Sequence, residues 1–253
     1  MIPKIIHYCW LSDDPFPESI RRTMDSWREK LPDYEFMHWD LKRFPLDKSQ
    51  WVREAFEAKK YAFAADLIRL HAVYHHGGIY MDTDVEVVKP FDDLLHLPYF
   101  VGSEGEGIIE AGIFGAEKNC HWIGLCLDHY HNRVFRQPDG SFDMQTLPRI
   151  MMAQIEPHYN IVEEPKGRSL PYPEDKLIMF PRDYFCAKNQ GTGIVKKTPD
   201  TYTVHHFAMS WKPKSKTFLA DAKRALISVL GERFVYGVIN GLGLKRIKSA
   251  LKR

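Results

Sequence analysis

The sequence predicts an α/β fold with a mostly parallel central sheet. Short apolar, β-branched segments alternate with longer segments whose apolar residues recur at helical spacing. Gly77 and Gly78 follow the strongest helical segment, which is where a helix commonly ends. The chain has 253 residues, of which 44% are hydrophobic and 27% charged. This length and composition suit one globular α/β domain with a C-terminal appendage.

The elements follow in order from the apolar periodicity. Residues 5–10 form a buried first strand, and residues 34–39 alternate aromatic and polar side chains as a second strand. Residues 62–75 form a helix that carries Asp66 and Arg69 beside its apolar stripe. Further helices are expected at residues 17–31, 51–58, 122–134 and 143–158. Further strands are expected within residues 79–88, at residues 113–116 and at residues 202–206.

The cysteine pattern and the N-terminal residues indicate a cytoplasmic protein. The four cysteines form no CxxC pair and no metal-finger spacing, which favours reduced thiols. The N-terminus shows no signal-peptide pattern, and no segment approaches the roughly 18 continuous apolar residues of a membrane span.

Charge is distributed unevenly along the chain. Residues 212–253 contain eleven Lys and Arg against two acidic residues, whereas the net charge of the whole chain is only +2. We therefore expect a basic tail at residues 214–253, with amphipathic helices at 217–230 and 234–251. The tail is either a peripheral membrane helix at the inner face of the cell membrane or a solubilising helix packed on the domain. Nucleic-acid binding is not expected, because the rest of the chain is net acidic.

Asp82-Thr83-Asp84 is the segment that most clearly indicates chemistry. In an extended segment, residues two apart point to the same side, so both carboxylates can converge on one cation. Oxygen ligands suit Mg²⁺ or Mn²⁺, and these ions suit a diphosphate. An Asp-x-Asp triplet alone has a second interpretation as a solvated acidic turn. Its position between two strand-like runs favours the metal site.

The surrounding motifs resemble glycosyltransferase family 32. The residues that carry this resemblance are Ala65-Asp66-Leu67-Ile68-Arg69, Tyr74, Gly77-Gly78-Ile79-Tyr80, Asp82-Thr83-Asp84, the opening strand 2–10 and the closing segment 205–211. The pattern is also similar to the catalytic domain of glucosylating bacterial toxins. The resemblance implies a GT-A-like nucleotide-sugar-binding domain over residues 1–213, followed by the tail.

The resemblance also implies roles for individual residues. Trp10 would stack on the nucleotide base and Tyr80 would line the nucleoside pocket, although both also suit an aromatic core. Asp66 would bind donor-sugar hydroxyls beside Arg69, although the two also suit an exposed i, i+3 ion pair. Metal ligands would come from Asp82, Asp84 and either His205 or His206, and the diphosphate would be bound by Ser210 and Trp211.

The expected function is therefore metal-dependent transfer of a hexosyl group from a nucleotide-sugar. The resemblance implies Mn²⁺ or Mg²⁺, a UDP-sugar donor, a glycan or lipid-linked acceptor, retention of the anomeric configuration and a role in capsular or other surface polysaccharide synthesis. GDP-mannose is the alternative donor. A metal-dependent phosphoesterase and a non-catalytic scaffold of a polysaccharide assembly complex are the alternatives from other classes. Ile109-Glu110-Ala111-Gly112 stands in the middle segment where the family often has an Asn-Ala step, and Glu110 is either a polar pocket residue or a loop carboxylate.

Overall fold

The computed structural model describes residues 1–164, 171–208, 224–227, 230–231 and 234–235. The chain divides into two compact units. The first unit comprises Met1–Ala187 and Lys197–His206, and the second comprises Lys188–Lys196 and Phe207–Arg253. The predicted boundary between residues 213 and 214 lies outside the described residues and stays a prediction.

A five-stranded sheet forms the centre of the first unit, in the order β2-β1-β3-β6-β5. Its strands are β1 (Ile5–Cys9), β2 (Glu35–Trp39), β3 (Gly78–Met81), β5 (Tyr99–Gly105) and β6 (Ile108–Ala116). The pairs β1–β2 and β1–β3 are parallel, whereas β6 is antiparallel to both β3 and β5. Four of the five strands therefore run in one direction. This confirms the predicted α/β fold with a mostly parallel sheet.

The remaining elements surround this sheet. Two further pairs are formed by β4 (Val85–Val87) with β9 (Thr203–His205), which are antiparallel, and by β7 (Asn160–Glu163) with β8 (Lys176–Met179), which are parallel. The helices are α1 (Glu18–Lys30), α2 (Gln50–Glu57), α3 (Tyr61–His76), α4 (His121–Asp128), α5 (Leu147–Ile155) and α6 (Arg182–Phe185).

Apolar side chains cover both faces of the central sheet. Successive residues of β3 belong alternately to two buried clusters, with Ile79 and Met81 in one and Tyr80 in the other. Because side chains alternate across a strand, the two clusters lie on opposite faces of the sheet. Trp27 of α1 belongs to the first cluster and Trp51 of α2 to the second. The core thus has the layered arrangement that an α/β fold requires.

The expected elements and the structure differ mainly after residue 98. The strand expected at residues 113–116 is the end of the longer β6, and β5, β7 and β8 were not predicted. Five glycines within residues 99–116 weaken the strand pattern there. The helix expected at residues 122–134 ends at Asp128, and turns follow it in which Asn132 lies in the left-handed region at φ 57°.

The end of α3 is stabilised as the glycine pair predicts. Gly77 has φ 66°, and an added Cβ would lie 3.0 Å from the Lys118 backbone nitrogen and from the Pro3 ring. The Gly77 carbonyl accepts a 2.7 Å hydrogen bond from Nε2 of the fully buried His7. His7 Nδ1 accepts from Trp39 Nε1 at 3.1 Å, which fixes the imidazole in its Nε2-protonated tautomer. Helix α3, β1 and β2 are therefore joined through one neutral histidine.

The second unit is described only in part. Lys188 and Val195 form an antiparallel bridge, and Arg224 Nη2 donates to the Gln190 carbonyl at 2.7 Å. Most residues of the predicted tail helices lie outside the described residues, although residues 224–227 are helical. Within the part of the chain that the structure describes, no helix is both long enough and apolar enough to span a membrane.

His7 is expected to make stability depend on pH. Burial is the main cause that lowers its pKa from 6.5 to about 4, so the unfolded chain binds this proton more readily than the folded chain. Stability should therefore fall as the pH decreases from 6.5 toward 4. Between pH 7 and pH 5 we expect His7 alone to cost about 2 kcal/mol of unfolding free energy.

Urea unfolding at both pH values measures this effect. A His7→Gln variant retains a donor and an acceptor but does not titrate, so its loss between pH 7 and pH 5 should be smaller by about that amount. His131→Gln, at an exposed position, should behave as the wild type does. An unchanged pH dependence in His7→Gln would contradict the assignment.

Candidate functional site

Arg69 lies at the centre of a buried polar cluster at the carboxyl end of β3. Its guanidinium contacts Asp66 Oδ1 and Asp82 Oδ1, each at 3.2 Å, and donates to the Ala111 carbonyl at 2.8 Å. The same group lies over the Tyr80 ring, 4.6 Å from its centroid. Arg69 therefore joins α3 to β3 and β6, and it is 6% exposed. The interpretation of Asp66 and Arg69 as an exposed ion pair is wrong.

Burial shifts the pKa values of the two carboxyl groups beside Arg69, those of Asp66 and Asp82. Burial raises the pKa of Asp66 to about 7, although Arg69 opposes the change. Burial also raises the pKa of Asp82, again opposed by Arg69, while the nearby Asp84 adds to the rise. The two carboxylates would be costly to bury without the guanidinium, because an unpaired buried charge is strongly destabilising.

Asp82-Thr83-Asp84 forms a turn between β3 and β4, rather than the extended segment that was expected. The Val85 backbone nitrogen donates to the Asp82 carbonyl at 3.0 Å, which closes the turn. Helix α1 is hydrogen-bonded to this turn, since the Thr23 hydroxyl of α1 donates to the Thr83 carbonyl at 2.5 Å. The two carboxylates still converge, but the turn brings them together.

The same turn brings His205 to the carboxylates. After it, β4 pairs with β9, and the register places Val85 opposite His205. His205 Nε2 lies 3.4 Å from Asp84 Oδ1, and its Nδ1 lies 3.1 Å from Glu110 Oε1. Burial opposes a charged imidazole, but Glu110 and Asp84 outweigh it and hold the pKa of His205 above its ordinary value.

The site offers a metal-binding donor set. Asp82, Asp84 and His205 each present one ligand atom, and these atoms all lie within 4.8 Å of one another. Carboxylate oxygens suit Mg²⁺ and Mn²⁺, and imidazole is a ligand for transition metals, so the set fits Mn²⁺ well. Among the described residues, this is the one cluster of three or more His, Cys, Asp or Glu side chains that meets this criterion.

The comparison with protein families agrees with this geometry. Residues 17–101 match the family described as glycosyltransferase sugar-binding region containing DXD motif. The matched residues, about a third of the chain, include Asp66, Arg69 and both aspartates of the turn. The chain is a glycosyltransferase family 32-like protein.

Several curated relatives of this family 32-like protein share parts of its sequence. Inositol phosphoceramide mannosyltransferase 2 of Schizosaccharomyces pombe is 25% identical over 91% of this chain and 64% of its own length. Inositol phosphoceramide mannosyltransferase 3 of the same yeast is 31% identical over 46% of this chain and 34% of its own length. Glucan organizing enzyme 1 of Cryptococcus neoformans is 26% identical over 81% and 59%, respectively. The chain therefore spans less than two thirds of the length of these relatives.

Two solved structures are also similar to the family 32-like protein. One is the PaToxG glycosyltransferase, with a TM-score of 0.46 and 19% identity, covering 62% of this chain and 69% of that chain. The other is a glycosyltransferase involved in the glycosylation of the major capsid of PBCV-1, with a TM-score of 0.47 and 12% identity, covering 86% and 98%.

In the family 32-like protein, the two predicted aromatic residues lie at the same edge of the sheet. The parallel β1–β3 register pairs His7 with Tyr80. Trp10 comes shortly after His7 and Asp82 shortly after Tyr80, so both lie at the edge formed by the carboxyl ends of these strands. Trp10 is half-buried, and its indole packs against Phe16 with centroids 4.9 Å apart. Tyr80 is buried in the core, and its hydroxyl donates to Asp82 Oδ1 at 2.7 Å. Tyr80 thus orients Asp82, and its role in a nucleoside pocket stays a prediction.

The structure separates the two adjacent histidines. His206 Nε2 lies 2.9 Å from Glu86 Oε2, and Glu86 in turn contacts Lys197 at 3.0 Å. His205 belongs to the cluster of ligand atoms, whereas His206 does not. Ser210 and Trp211 lie outside the described residues, so their predicted contact with the diphosphate stays a prediction.

Glu110 is the site residue that the sequence did not assign. It lies within β6, is 2% exposed, and contacts His205. A single carboxylate in the apolar run Ile108–Ala116, two residues before a glycine, was the available signal. In the sequence, Glu110 stands out only as part of a departure from the family pattern.

Replacing Arg69 by methionine should strongly destabilise the protein. The change leaves Asp66 and Asp82 buried without their cation, and we expect the unfolding free energy to fall by about 3–5 kcal/mol. Urea unfolding at pH 7 measures it.

Arg28→Met is the matched control. Arg28 and Asp25 form another i, i+3 pair in a helix, 2.9 Å apart, but both side chains are 68% exposed. Exposed pairs of this kind contribute about 0–1 kcal/mol. If the two variants lost similar amounts of stability, the central role of Arg69 would be disproved.

Proposed function

We propose that this family 32-like protein transfers a hexosyl group from a nucleotide-sugar to a hydroxyl of a glycan or lipid-linked acceptor, with a divalent metal bound at the site. The observation that supports this most directly is the convergence of Asp82, Asp84 and His205 beside the buried Arg69–Asp66 pair. In the reaction, the bond between the anomeric carbon and the diphosphate oxygen breaks. The anomeric carbon bonds to the acceptor oxygen, whose proton is released, and the nucleoside diphosphate leaves.

Each residue has a separate part in this proposal. Asp84 and His205 hold the metal, and Asp82 completes the donor set while Arg69 and Tyr80 fix its carboxylate. A bound Mn²⁺ or Mg²⁺ would stabilise the negative charge that develops on the leaving diphosphate. Asp66 would accept hydrogen bonds from the hydroxyls of the donor sugar. Retention of the anomeric configuration is part of the proposal, and NMR of the product anomer tests it.

Two indications bear on the donor and acceptor. Two relatives are named inositol phosphoceramide mannosyltransferases, which favours a mannosyl group, as in GDP-mannose, and a lipid acceptor. The resemblance to glucosylating toxins instead favours a UDP-hexose. A surface polysaccharide built on a lipid carrier fits a lipid acceptor as well. The donor assay therefore includes both nucleotides.

The two alternatives from other classes have less support. A metal-dependent phosphoesterase commonly uses two metal ions, and the described residues contain one suitable cluster of ligands. A non-catalytic scaffold has no need for a buried Arg69 that orients metal-binding carboxylates. Simple phosphate esters in the assay test the first alternative, and donor turnover tests the second.

Asp84→Asn should abolish metal-dependent release of the nucleoside diphosphate. The loss should be about 100-fold or more, because several kcal/mol of charge stabilisation depend on the bound metal. Release is measured with Mn²⁺ over a panel of UDP-hexoses and GDP-mannose.

Glu86→Gln provides the control, since Glu86 lies two residues further on and pairs with His206 and Lys197 instead. It should turn over the donor as the wild type does. Wild-type turnover by Asp84→Asn, or undiminished turnover in metal-free buffer, would reject the metal-dependent reaction.

We also propose a cytoplasmic location, with the basic tail in contact with the inner face of the cell membrane. The positive charge of residues 212–253 supports this proposal. The last basic residues of this segment are Lys245, Arg246, Lys248, Lys252 and Arg253. Each basic residue near an anionic surface contributes about 1 kcal/mol.

Replacing these five residues by glutamine in the full-length chain should therefore lower affinity for anionic vesicles by about 100-fold or more. Vesicle co-sedimentation measures it, with neutral phosphatidylcholine vesicles as the control. Equal binding by the variant and the wild type would support the packed, solubilising helix instead.

A further inference from the structure

Glu110 is a buried carboxylate whose contacts are directed at the metal-binding histidine. Its Oε1 accepts a 2.6 Å hydrogen bond from the Gly112 backbone nitrogen and lies 3.1 Å from His205 Nδ1. The Cys186 thiol also hydrogen-bonds to the Glu110 carboxylate. Burial opposes ionisation, but His205 and these donors hold the pKa of Glu110 below its ordinary value. Glu110 is therefore a fixed, charged acceptor on the side of His205 opposite Asp84.

We propose that Glu110 is a positioning residue that holds His205 in the orientation and tautomer required to bind the metal. The Nδ1–H group of His205 donates to Glu110, so that Nε2 faces Asp84 and is left as the metal ligand. This inference rests on the proposed function, because it assigns a task to Glu110 within the same metal site. The inference also goes beyond the proposed function, because that function gives no role to Glu110, which contacts neither the donor nor the metal.

The space around Gly112 supports this assignment. A Cβ added at Gly112 would lie 2.6 Å from His205 Cε1 and 2.8 Å from Glu110 Oε1, closer than real Cβ contacts allow. The missing side chain thus leaves the space in which the ring of His205 meets Glu110. The Gly112 carbonyl also accepts from the Asp82 backbone nitrogen at 2.8 Å. One short segment of β6 therefore places both Glu110 and the first aspartate of the metal site.

The neighbouring histidine pairs with its carboxylate through the other ring nitrogen. His206 directs Nε2 rather than Nδ1 at Glu86, at 2.9 Å. Because Glu110 is paired with Nδ1 of His205, the outer nitrogen Nε2 stays on the side of Asp84. The two adjacent His–carboxylate pairs thus differ in which nitrogen they engage.

A carboxylate behind a metal-binding imidazole has known physical effects. It fixes the tautomer and the ring orientation, and it makes the ligating nitrogen more basic. Loss of such a partner typically lowers metal affinity 10–100-fold. The expected effect of Glu110 is therefore on the affinity for the metal, and the fold need not change.

The experiment measures Mn²⁺ binding by electron paramagnetic resonance, with the metal alone and the full-length chain. Wild type is compared with Glu110→Gln, which keeps an acceptor but loses the charge, and with Glu110→Met, which loses both. We expect affinity to fall about 10-fold in Glu110→Gln and toward 100-fold in Glu110→Met. Glu86→Gln changes the other His–carboxylate pair and should bind Mn²⁺ as the wild type does.

The outcomes separate this inference from the proposed function. If the wild type bound no Mn²⁺, the proposed metal site itself would fail. If the wild type bound Mn²⁺ and folded Glu110→Gln bound it within twofold of the wild type, only the positioning role would be overturned. Circular dichroism and thermal unfolding establish that the variants are folded. Should Glu110→Met not fold, Glu110→Gln decides alone. A lower melting temperature with unchanged affinity would indicate a merely structural role.

Discussion

The candidate site depends above all on the compensation of one buried charge. Arg69 is almost fully buried, and its guanidinium is neutralised by Asp66 and Asp82, which belong to different elements of the fold. A buried cation requires such partners, and in turn it keeps two carboxylates in place that would otherwise repel each other. The Ala111 carbonyl adds a contact from β6. Helix α3, the carboxyl end of β3 and the amino-terminal half of β6 are thereby held in one fixed relation, and the turn of Asp82-Thr83-Asp84 is attached to this framework.

The path of the chain after Asp84 explains why a distant histidine belongs to the same site. β3 is part of the central sheet, but β4 pairs instead with β9, more than a hundred residues later in the chain. This change of partner creates the turn and places His205 beside it. Because the ligands come from separate segments, the site forms only when the tertiary structure does, and metal binding should stabilise the folded state. Open α/β sheets bind ligands at the carboxyl ends of their strands, and Asp82 lies at such an end.

The sequence predicted the parts of the structure that depend on local patterns. The helical period of residues 62–75 and the glycine pair at its end indicated their elements correctly. The Asp-x-Asp triplet indicated that its carboxylates converge, but not that the segment is a turn. The choice between His205 and His206 depends on the long-range pairing of β9 with β4 and on the carboxylates Glu110 and Glu86, which periodicity does not encode. Asp66 and Arg69 have the spacing of an exposed ion pair, and only tertiary burial distinguishes them from Asp25 and Arg28. The sequence does not predict β5 and predicts only the end of β6, because glycines that make room for neighbouring side chains, as Gly112 does for His205, weaken the strand pattern.

Glu110 illustrates how a departure from a family pattern acquires a physical meaning once the fold is known. An asparagine at this position would offer Gly112 an acceptor but would place no charge beside His205. The glutamate adds a carboxylate whose ionised form is stabilised by His205 itself, so the two residues depend on each other. Such a pair is favourable when buried only if each member keeps its partner. Glu110, Gly112 and His205 therefore form one unit. Glu110 provides the charge, Gly112 leaves the space for the imidazole ring, and His205 is the proposed metal ligand.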